Sequence, residues 1–197
     1  MYRMAVAHAK GIFTFNRDDG PVMRHHAIVD DRHHIVQVPG SGIDVEAFSE
    51  QPLPSGAPVF LMISRMMRDK GVHEFAEAAR LVKREYPQIT FHLVGKTEPE
   101  NPTGVPEETC RRWMDEGILE YYPETRDVRP FLRKASVFVL PSYYREGLPR
   151  TLLEALATGR PLLTTDMPGC REPVIAGQNG WLVPPRDAEA LALQMMK

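Results

Sequence analysis

Two glutamates, Glu146 and Glu154, are separated by seven residues in a segment that passes from a predicted strand into a predicted helix. The apolar run Ser136–Leu140 predicts a buried strand, and a polar turn and an amphipathic stretch follow it. Open α/β sheets bind ligands at the carboxyl ends of their strands, and a helix N-terminus offers free N–H groups to an anion such as a diphosphate. We therefore expect the two acidic side chains beside this anion site to hydrogen-bond sugar hydroxyls.

Two basic residues occupy a similar position earlier in the chain. Arg65 ends the predicted strand that begins at Val59, and Lys70 precedes Gly71 at the start of the next predicted helix. Cations at a strand's carboxyl end can neutralise a diphosphate leaving group as its bond to a sugar breaks. One well-aimed donor contributes about 2.7–4 kcal/mol to such catalysis. The alternative is that Arg65, Arg68 and Lys70 form a solvated loop cluster.

Both glutamates also have a purely structural interpretation. Acidic residues favour helix N-termini because they cap free N–H groups and interact with the helix dipole, which would account for Glu146. A helical wheel predicts that Leu152, Leu153 and Leu156 form the buried face, with Glu154 about 130° from its centre. On that basis Glu154 would be an ordinary surface residue. If one helix covered both glutamates, they would lie ~12 Å apart along its axis.

Short apolar runs alternate with helical patterns through most of the chain, which predicts an α/β fold with a parallel sheet buried on both faces. The predicted strands are Gly11–Phe15, His34–Pro39, Val59–Ser64, Ile89–Gly95, Ile118–Tyr122, Ser136–Leu140, Pro161–Thr165 and Gly180–Val183. The predicted helices are Tyr2–Ala9, Val72–Glu85, Glu107–Glu116, Val128–Lys134, Pro149–Thr158, Glu172–Ala176 and Asp187–Lys197.

Bulk properties exclude several classes of protein. The formal charge of −2 argues against a nucleic-acid binder. No apolar run approaches the ~20 residues that span a bilayer, and we expect a cytoplasmic location. The two cysteines form no metal or redox motif, and a disulfide is not expected. Four histidines form two adjacent pairs, His25–His26 and His33–His34, which we interpret as solvated surface residues and not as a metal site.

The segment around the two glutamates, YYREGLPRTLLEALATGRPLLTTDMPGCREPV, resembles glycosyltransferase family 4, in particular its bacterial capsule and exopolysaccharide members. The segments Ile63–Ala79 (ISRMMRDKGVHEFAEAA) and Asn179–Asp187 (NGWLVPPRD) are similar to the same family. The resemblance implies a retaining enzyme with the GT-B fold, in which two Rossmann-like domains face each other across a cleft. The first domain binds mainly the acceptor and the second binds the nucleotide sugar.

The resemblance also implies a role for each candidate residue. Arg65 and Lys70 would bind and stabilise the diphosphate, Glu146 would orient the donor sugar, and Glu154 would bind the ribose. The catalytic set would then be Arg65, Lys70 and Glu146. The substrate-binding set would be Gly95, Gly147, Leu148, Arg150 and Glu154, with the N–H groups of residues 147, 148 and 150 facing the diphosphate and the backbone near Gly95 facing the base. No cofactor or metal is expected, and the donor would be a nucleoside-diphosphate sugar, a UDP-sugar by preference.

The family architecture divides the chain into three parts. Residues 1–40 would be a remnant of the acceptor domain, residues 41–57 an interdomain linker, and residues 58–197 the donor domain, a Rossmann-like sheet with helices on both faces. The linker assignment rests on the glycines, serines and prolines between Gly40 and Pro58. We expect a fragment that holds the C-terminal half of a GT-B fold, cut at both ends.

The parent enzyme would transfer a sugar to a glycan or lipid-linked acceptor in bacterial surface polysaccharide synthesis. Its acceptor contacts would lie in the missing domain, and the full-length enzyme could associate peripherally with the inner face of the plasma membrane. We expect the fragment to bind nucleotide without transferring sugar. Two alternatives stay open at this point: a sugar-nucleotide epimerase of the same architecture, and a non-catalytic nucleotide-binding module.

Overall fold

A small two-stranded sheet precedes the main body of the protein. The computed structural model describes residues 2–197. Its first elements are helix α1 (Tyr2–Val6), strand β1 (Gly11–Thr14), helix α2 (Asp19–His25) and strand β2 (His34–Gln37). Strands β1 and β2 pair in parallel, as a β-α-β unit requires. An irregular segment then leads to the main sheet.

The main sheet contains six strands, all parallel to their neighbours. The strands are β3 (Val59–Ile63), β4 (Thr90–Val94), β5 (Glu120–Tyr122), β6 (Val137–Leu140), β7 (Leu162–Thr165) and β8 (Gly180–Val183). Their spatial order is β5-β4-β3-β6-β7-β8. From β3 the chain adds β4 and β5 towards one edge of the sheet. It then returns to the middle, where β6 pairs with β3, and adds β7 and β8 towards the other edge. The strand order reverses between β3 and β6, where a doubly wound sheet opens a ligand-binding crevice.

Helices connect the strands in sequence order except β7 and β8, which an irregular segment joins, and the last helix follows β8. They are α3 (Val72–Glu85), α4 (Glu107–Asp115), α5 (Arg129–Lys134), α6 (Arg150–Ala157) and α7 (Ala188–Met195). Right-handed crossovers place α3 and α4 on one face of the sheet and α5 and α6 on the other. Helix α7 packs against α3. The α/β fold class predicted from the alternating pattern is therefore confirmed, with helices on both faces.

The core lies where the central strands meet the helices on either face. Four consecutive residues of β3, from Phe60 to Ile63, are buried, as expected for a central parallel strand. Phe60 stacks on Phe91 of the neighbouring strand with ring centroids 5.4 Å apart. Phe75 of α3 meets Phe91 edge-on at 5.9 Å, which joins the helix layer to the sheet.

A fully buried arginine attaches the irregular segment before β3 to the main domain. The guanidinium of Arg160 donates hydrogen bonds to the backbone carbonyls of Gln51, Pro52 and Ala135, at 2.9 Å for the last two. Burial lowers the pKa of Arg160. Carbonyl oxygens alone surround this cation, so it stabilises the fold by satisfying buried acceptors.

Two predictions from the sequence are wrong in this part of the structure. No helix forms at Glu172–Ala176. Instead the Asn179 side chain accepts the Ile175 N–H at 2.7 Å and donates to the Pro173 carbonyl at 3.0 Å, which satisfies groups that a helix would have used. His33 is not a solvated residue: it is 6% exposed, and its ring contacts the Asp30 carboxylate and the Val6 carbonyl at 2.9 and 3.1 Å.

The longest helix, α3, has 14 residues. Over residues 2–197, no helix combines the length and the apolar character that crossing a membrane would demand.

Candidate functional site

The reversal of strand order brings Lys70 and Glu146 into contact. Lys70 ends a short 3₁₀ turn that follows β3, and Glu146 lies in the loop that follows β6. The Lys70 ammonium donates to Oε1 of Glu146, and both side chains are largely buried. Gly71 permits this approach, because a Cβ there would overlap the Pro141 carbonyl of the β6 loop. The two residues predicted to contact phosphate and sugar therefore meet at the crevice.

The carboxylate of Glu146 is held by more than Lys70. The buried hydroxyl of Ser142 lies 2.9 Å from Oε1 of Glu146, and the ring of Tyr144 lies 5.3 Å from Nζ of Lys70. The amide of Asn16, which is fully buried, donates to the Glu146 carbonyl at 2.9 Å and reaches the Gly147 carbonyl at 3.2 Å. Hydrogen bonds to the Glu146 carboxylate and to the backbone carbonyls of Glu146 and Gly147 therefore both hold this loop in place.

The segment around Asn16 contacts the main domain through a run of consecutive side chains. Arg17 pairs with Glu172 at 3.6 Å. Asp18 pairs with Arg171 at 3.7 Å, and Asp19 pairs with Arg145 at 3.3 Å. These partners lie in the two loops that follow β6 and β7, so the turn after β1 seats directly against the site.

The N-terminus of helix α6 is not capped by a side chain. Its N-cap residue is Pro149, whereas Asp187 caps α7 by accepting the Ala190 N–H at 2.8 Å. Across residues 2–197, no acceptor satisfies the N–H groups of Gly147, Leu148 or Arg150. Free donors and the positive end of the helix dipole therefore remain available for an anion beside Lys70 and Glu146.

Helix α6 begins at Arg150, so Glu146 precedes it and the two glutamates do not share one helix. The helical wheel was wrong about Glu154, whose side chain is only 12% exposed. Burial raises the pKa of Glu154, while Arg150, whose Nε lies 3.2 Å from Oε1 of Glu154, lowers it. A buried carboxylate with one half-exposed partner is a group whose free oxygen can accept a ligand hydroxyl.

Glu154 lines a cavity with a volume of about 380 Å³. Its apolar wall consists of Phe48 from the segment before β3, Ile63 at the end of β3 and Val128 at the start of α5. Arg126, Asp127 and Arg129 also line the cavity, and Arg129 pairs with Asp127 at 2.8 Å. The apolar wall offers a surface for a flat base, and the Glu154 carboxylate can accept the hydroxyls of a ribose, so the cavity is compatible with a nucleoside.

The structure does not bring Arg65 to the Lys70–Glu146 pair. Its guanidinium is exposed and lies 3.9 Å from the Glu98 carboxylate, which belongs to the loop after β4. That loop folds back over the end of β3: the Val105 N–H donates to the Met66 carbonyl, and the Arg68 N–H donates to the Thr103 carbonyl, both at 2.8 Å. The phosphate contact of Arg65 stays a prediction.

Gly95 has a structural function that accounts for its residue type. Its N–H donates to the Tyr122 carbonyl, and its carbonyl accepts the Tyr121 hydroxyl, both at 3.0 Å. Its φ is +150°, and a Cβ would overlap the Ser64 carbonyl. The N–H is therefore engaged within the sheet edge, and the predicted contact to a base, which stays a prediction, would have to use the carbonyl.

A known family of enzymes matches most of this chain. The family model for glycosyl transferases of group 1 matches residues 57–197, which is more than half of the chain.

The chain belongs to the group 1 glycosyltransferase family.

Two similar relatives are named for polysaccharide and glycan transfer. The putative colanic acid biosynthesis glycosyltransferase WcaL of Salmonella typhimurium is 31% identical over 81% of this chain and 41% of its own length. The N,N'-diacetylbacillosaminyl-diphospho-undecaprenol alpha-1,3-N-acetylgalactosaminyltransferase of Campylobacter jejuni is 34% identical over 68% of this chain and 34% of its own length. The group 1 glycosyltransferase chain therefore spans about two fifths or less of the length of these relatives.

Solved structures show the same fold. HepE of Anabaena, solved in complex with UDP, superposes on 99% of this chain and 55% of its own with a TM-score of 0.80 at 20% identity. This likeness confirms the predicted fold class, a Rossmann-like parallel sheet of the GT-B type. At this identity it carries the fold alone.

Several residues of this glycosyltransferase site were missed in the sequence. Ser142 lies two residues after β6, in the loop that carries Glu146. A hydroxyl residue at the carboxyl end of a central parallel strand was a usable signal for a site residue. Arg126 and Val128 follow β5 at the same edge of the sheet as the other loops, which was a usable signal. No sequence signal pointed to Asn16 or Phe48, which reach the site only through the packing of the first 50 residues.

Proposed function

We propose that this chain is the nucleotide-sugar binding part of a retaining family 4 glycosyltransferase, which transfers a sugar to a glycan or lipid-linked acceptor in bacterial surface polysaccharide synthesis. The contact between Lys70 and Glu146 at the strand-order reversal, beside the uncapped start of α6, carries this proposal. This contact brings a cation and a carboxylate together near free N–H donors, and we propose that the carboxylate binds the sugar.

The donor would lie along the loop that joins the two glutamates. Its base and ribose occupy the Glu154 cavity, with Glu154 accepting the ribose hydroxyls. Its diphosphate meets the N–H groups of Gly147, Leu148 and Arg150, and its sugar lies against Glu146. Lys70 and the helix dipole then stabilise the charge that develops on the diphosphate as the glycosidic bond breaks, because they are already oriented towards it.

These charges are sufficient for a donor site that needs no metal ion. Lys70, the α6 N-terminus and, on closure of the β3 loop, Arg65 would balance the diphosphate. We propose UDP-sugar as the donor class, since HepE, which shares the fold, was solved with UDP. Nucleotide binding that persists unchanged in excess chelator is the expected result, and loss of binding on chelation would contradict a metal-free site.

The acceptor class is proposed from the relatives. The name of the Campylobacter relative specifies an acceptor sugar on diphospho-undecaprenol, and WcaL is named for colanic acid synthesis. A lipid-linked acceptor would bring the full-length enzyme to the inner face of the plasma membrane as a peripheral, cytoplasmic protein. We expect the present chain to bind nucleotide without transferring sugar, and its division at residues 40 and 57 stays part of this proposal.

Calorimetric titration with UDP, GDP and ADP tests the donor site. We expect saturable binding of one nucleotide, UDP by preference, and about tenfold or greater weakening in Glu154→Ala, since a hydrogen bond to a charged group contributes ~1.5–3 kcal/mol. Glu85→Ala is the matched control. Glu85 ends α3, about 20 Å along the helix from the site edge.

Two outcomes would contradict the proposal. A folded chain that binds none of the three nucleotides would overturn the donor site itself. If the wild type and Glu154→Ala bound the nucleotide with equal affinity, Glu154 would not bind the ribose. The proposed position of the nucleoside would then have no support beyond the similarity of the fold.

A further inference from the structure

A second, larger cavity adjoins the Lys70–Glu146 pair. It is a groove of about 660 Å³ that shares no lining residue with the Glu154 cavity. Tyr144 lines this groove, and its ring also lies 5.3 Å from Nζ of Lys70. The groove therefore begins where the proposed donor sugar ends, on a surface that the donor itself does not use.

The groove carries more arginines than carboxylates in its lining, in a protein with a formal charge of −2. Arg68, Arg145, Arg186 and Asp69 line it, and the partly buried Glu74 carboxylate lies near Arg186, whose charge opposes the rise that burial causes in the pKa of Glu74. Arg68 donates to the Pro102 carbonyl at 2.7 Å, and Arg145 lies 3.3 Å from the Asp19 carboxylate. Each guanidinium carries five N–H donors, so most donors on both side chains remain free.

Arg186 is held in place without using its donors. Its guanidinium lies 4.4 Å from the centroid of the Tyr143 ring, and its backbone has a left-handed φ of 60°. Among residues 2–197, it makes no ion pair and donates no side-chain hydrogen bond. The Tyr143 ring restrains the guanidinium while its N–H donors stay free, an arrangement suited to binding a carboxylate or phosphate.

Two tyrosines form the floor of the groove. The N–H groups of Tyr143 and Tyr144 both donate to the Asp69 carbonyl, at 2.9 and 3.0 Å, which ties the β6 loop to the turn that carries Lys70. Burial and the nearby Glu74 carboxylate raise the pKa of Tyr143, so its hydroxyl stays protonated and can donate at neutral pH. The half-exposed ring of Tyr144 offers an apolar face to a sugar ring.

We propose that this groove is an acceptor subsite, which binds an anionic group on the acceptor and a sugar ring beside that group. The proposal rests on the donor site described above, because it is the position next to Glu146 that makes an occupant an acceptor. Arg68 and Arg186 bind the anion, Tyr144 packs against the sugar, and the reacting hydroxyl is thereby directed towards Glu146 and the donor sugar.

The anion can come from two sources that share this chemistry. One is the diphosphate that links an acceptor sugar to a lipid carrier, and the other is the carboxylate of a uronic acid within a glycan. Geranyl diphosphate and a glucuronic acid disaccharide are water-soluble probes for the two. Each is titrated by calorimetry into the chain saturated with UDP, so that the donor's diphosphate site is already filled.

We expect one probe to bind the UDP-saturated chain, with affinity that falls about tenfold in Arg186→Gln and in Arg68→Gln. Arg84→Gln is the matched control, because Arg84 is an exposed arginine in the last turn of α3. Raising the salt concentration should weaken probe binding to the wild type more than to either groove variant. The probe that binds identifies the anion source.

Three outcomes would overturn the groove as an acceptor subsite: no binding of either probe beside UDP, displacement of the probe by UDP, or an equal loss in Arg84→Gln. Circular dichroism of each variant separates a binding defect from misfolding. A folded chain that fails to bind UDP overturns the proposed function instead. The probes are then titrated without nucleotide, and dependence on Arg186 and Arg68 decides whether the groove is an anion site.

Discussion

The Lys70 ammonium contacts the Glu146 carboxylate across the gap between the loops that follow β3 and β6. The side chains are 14% and 11% exposed, so each charge depends on the other for compensation. In the proposed function, the donor sugar and its diphosphate would enter between or beside them. The pair therefore balances the two buried charges, and the proposed donor would use both of them.

Breaking this pair from one side should be costly. We expect Lys70→Met to lower the free energy of unfolding by about 3–5 kcal/mol, because it leaves the Glu146 carboxylate buried without its cation. The double variant Lys70→Met/Glu146→Gln should be more stable than Lys70→Met alone. Urea denaturation of the four proteins of the cycle measures the coupling energy.

Lys134→Met serves as the control for this cycle, since Lys134 is an exposed lysine at the end of α5 and should change stability by less than about 0.5 kcal/mol. A coupling energy near zero would mean that the two charges are solvated independently. The contact would then resemble a surface ion pair, which contributes little to the free energy of unfolding.

Gly169 supports Glu146 from the other side of the loop. Its φ is +81°, and a Cβ there would lie 2.7 Å from the Gly147 carbonyl and closer still to the Glu146 carbonyl. Gly177 has a similar φ of +75°, but a Cβ at that residue would meet no atom within 4 Å. Substitution of Gly177 would therefore introduce backbone strain alone, whereas substitution of Gly169 would introduce backbone strain and steric overlap.

We expect Gly177→Ala to cost ~1–2 kcal/mol through its left-handed backbone alone. Gly169→Ala should cost at least about 1 kcal/mol more, because the added Cβ overlaps two carbonyl groups. It should also weaken binding of a UDP-sugar more than binding of UDP, because the displaced loop carries Glu146, the residue proposed to contact the sugar. Thermal unfolding and calorimetry measure the two effects. Equal losses of stability and unchanged ligand affinities in both variants would show that the loop yields without moving Glu146.

Local patterns were sufficient to predict the elements that lie in the sheet and its helices. The bounds of α3 were predicted as Val72–Glu85 and are confirmed, because a regular amphipathic pattern begins after Gly71 and ends before Tyr86. Lys70 and Glu146 could be placed at one crevice because strand ends in a parallel sheet share an edge. Such inferences need only the period of the pattern and the polarity of the chain.

The burial of Glu154 could not be predicted in that way. A helical wheel assumes that only the sheet covers a helix, and it therefore assigned Glu154 to solvent. In the structure Phe48, from the segment before β3, and Val128, from the start of α5, line the cavity around the carboxylate. Contacts between segments distant in sequence decide such a case. The contact of Asn16 with the Glu146 carbonyl, 130 residues away, is of the same kind.

Glu154 should lower stability at neutral pH while it supports ligand binding. Burial raises its pKa above the ordinary value of 4.5. Between 4.5 and the raised pKa the folded state binds more protons than the unfolded state, so the carboxyl's contribution to stability grows as the pH falls through that window. Above both pKa values the carboxylate is charged in both states, and the desolvation penalty is fully present.

We therefore expect Glu154→Gln to raise the free energy of unfolding at pH 7 by about 0.5–2 kcal/mol, the usual gain from a stabilising substitution. The gain should shrink as the pH falls towards 4.5, because the wild-type carboxyl then becomes neutral as well. The same variant should bind UDP about tenfold more weakly at pH 7, since an amide is a poorer acceptor for ribose hydroxyls than a carboxylate. Wild-type affinity for UDP should itself fall as the pH is lowered through the raised pKa.

Urea denaturation and UDP titration across this pH range measure both effects on the same samples, with Glu85→Gln as an exposed control that should change neither. If Glu154→Gln raises the free energy of unfolding but lowers the affinity for UDP, the carboxylate serves ligand binding at a cost in stability. A carboxylate that serves the fold would lower the stability when it is replaced. If Glu154→Gln were less stable than the wild type at pH 7, the ion pair with Arg150 would outweigh desolvation. Glu154 would then be a structural residue whose burial needs no ligand to explain it.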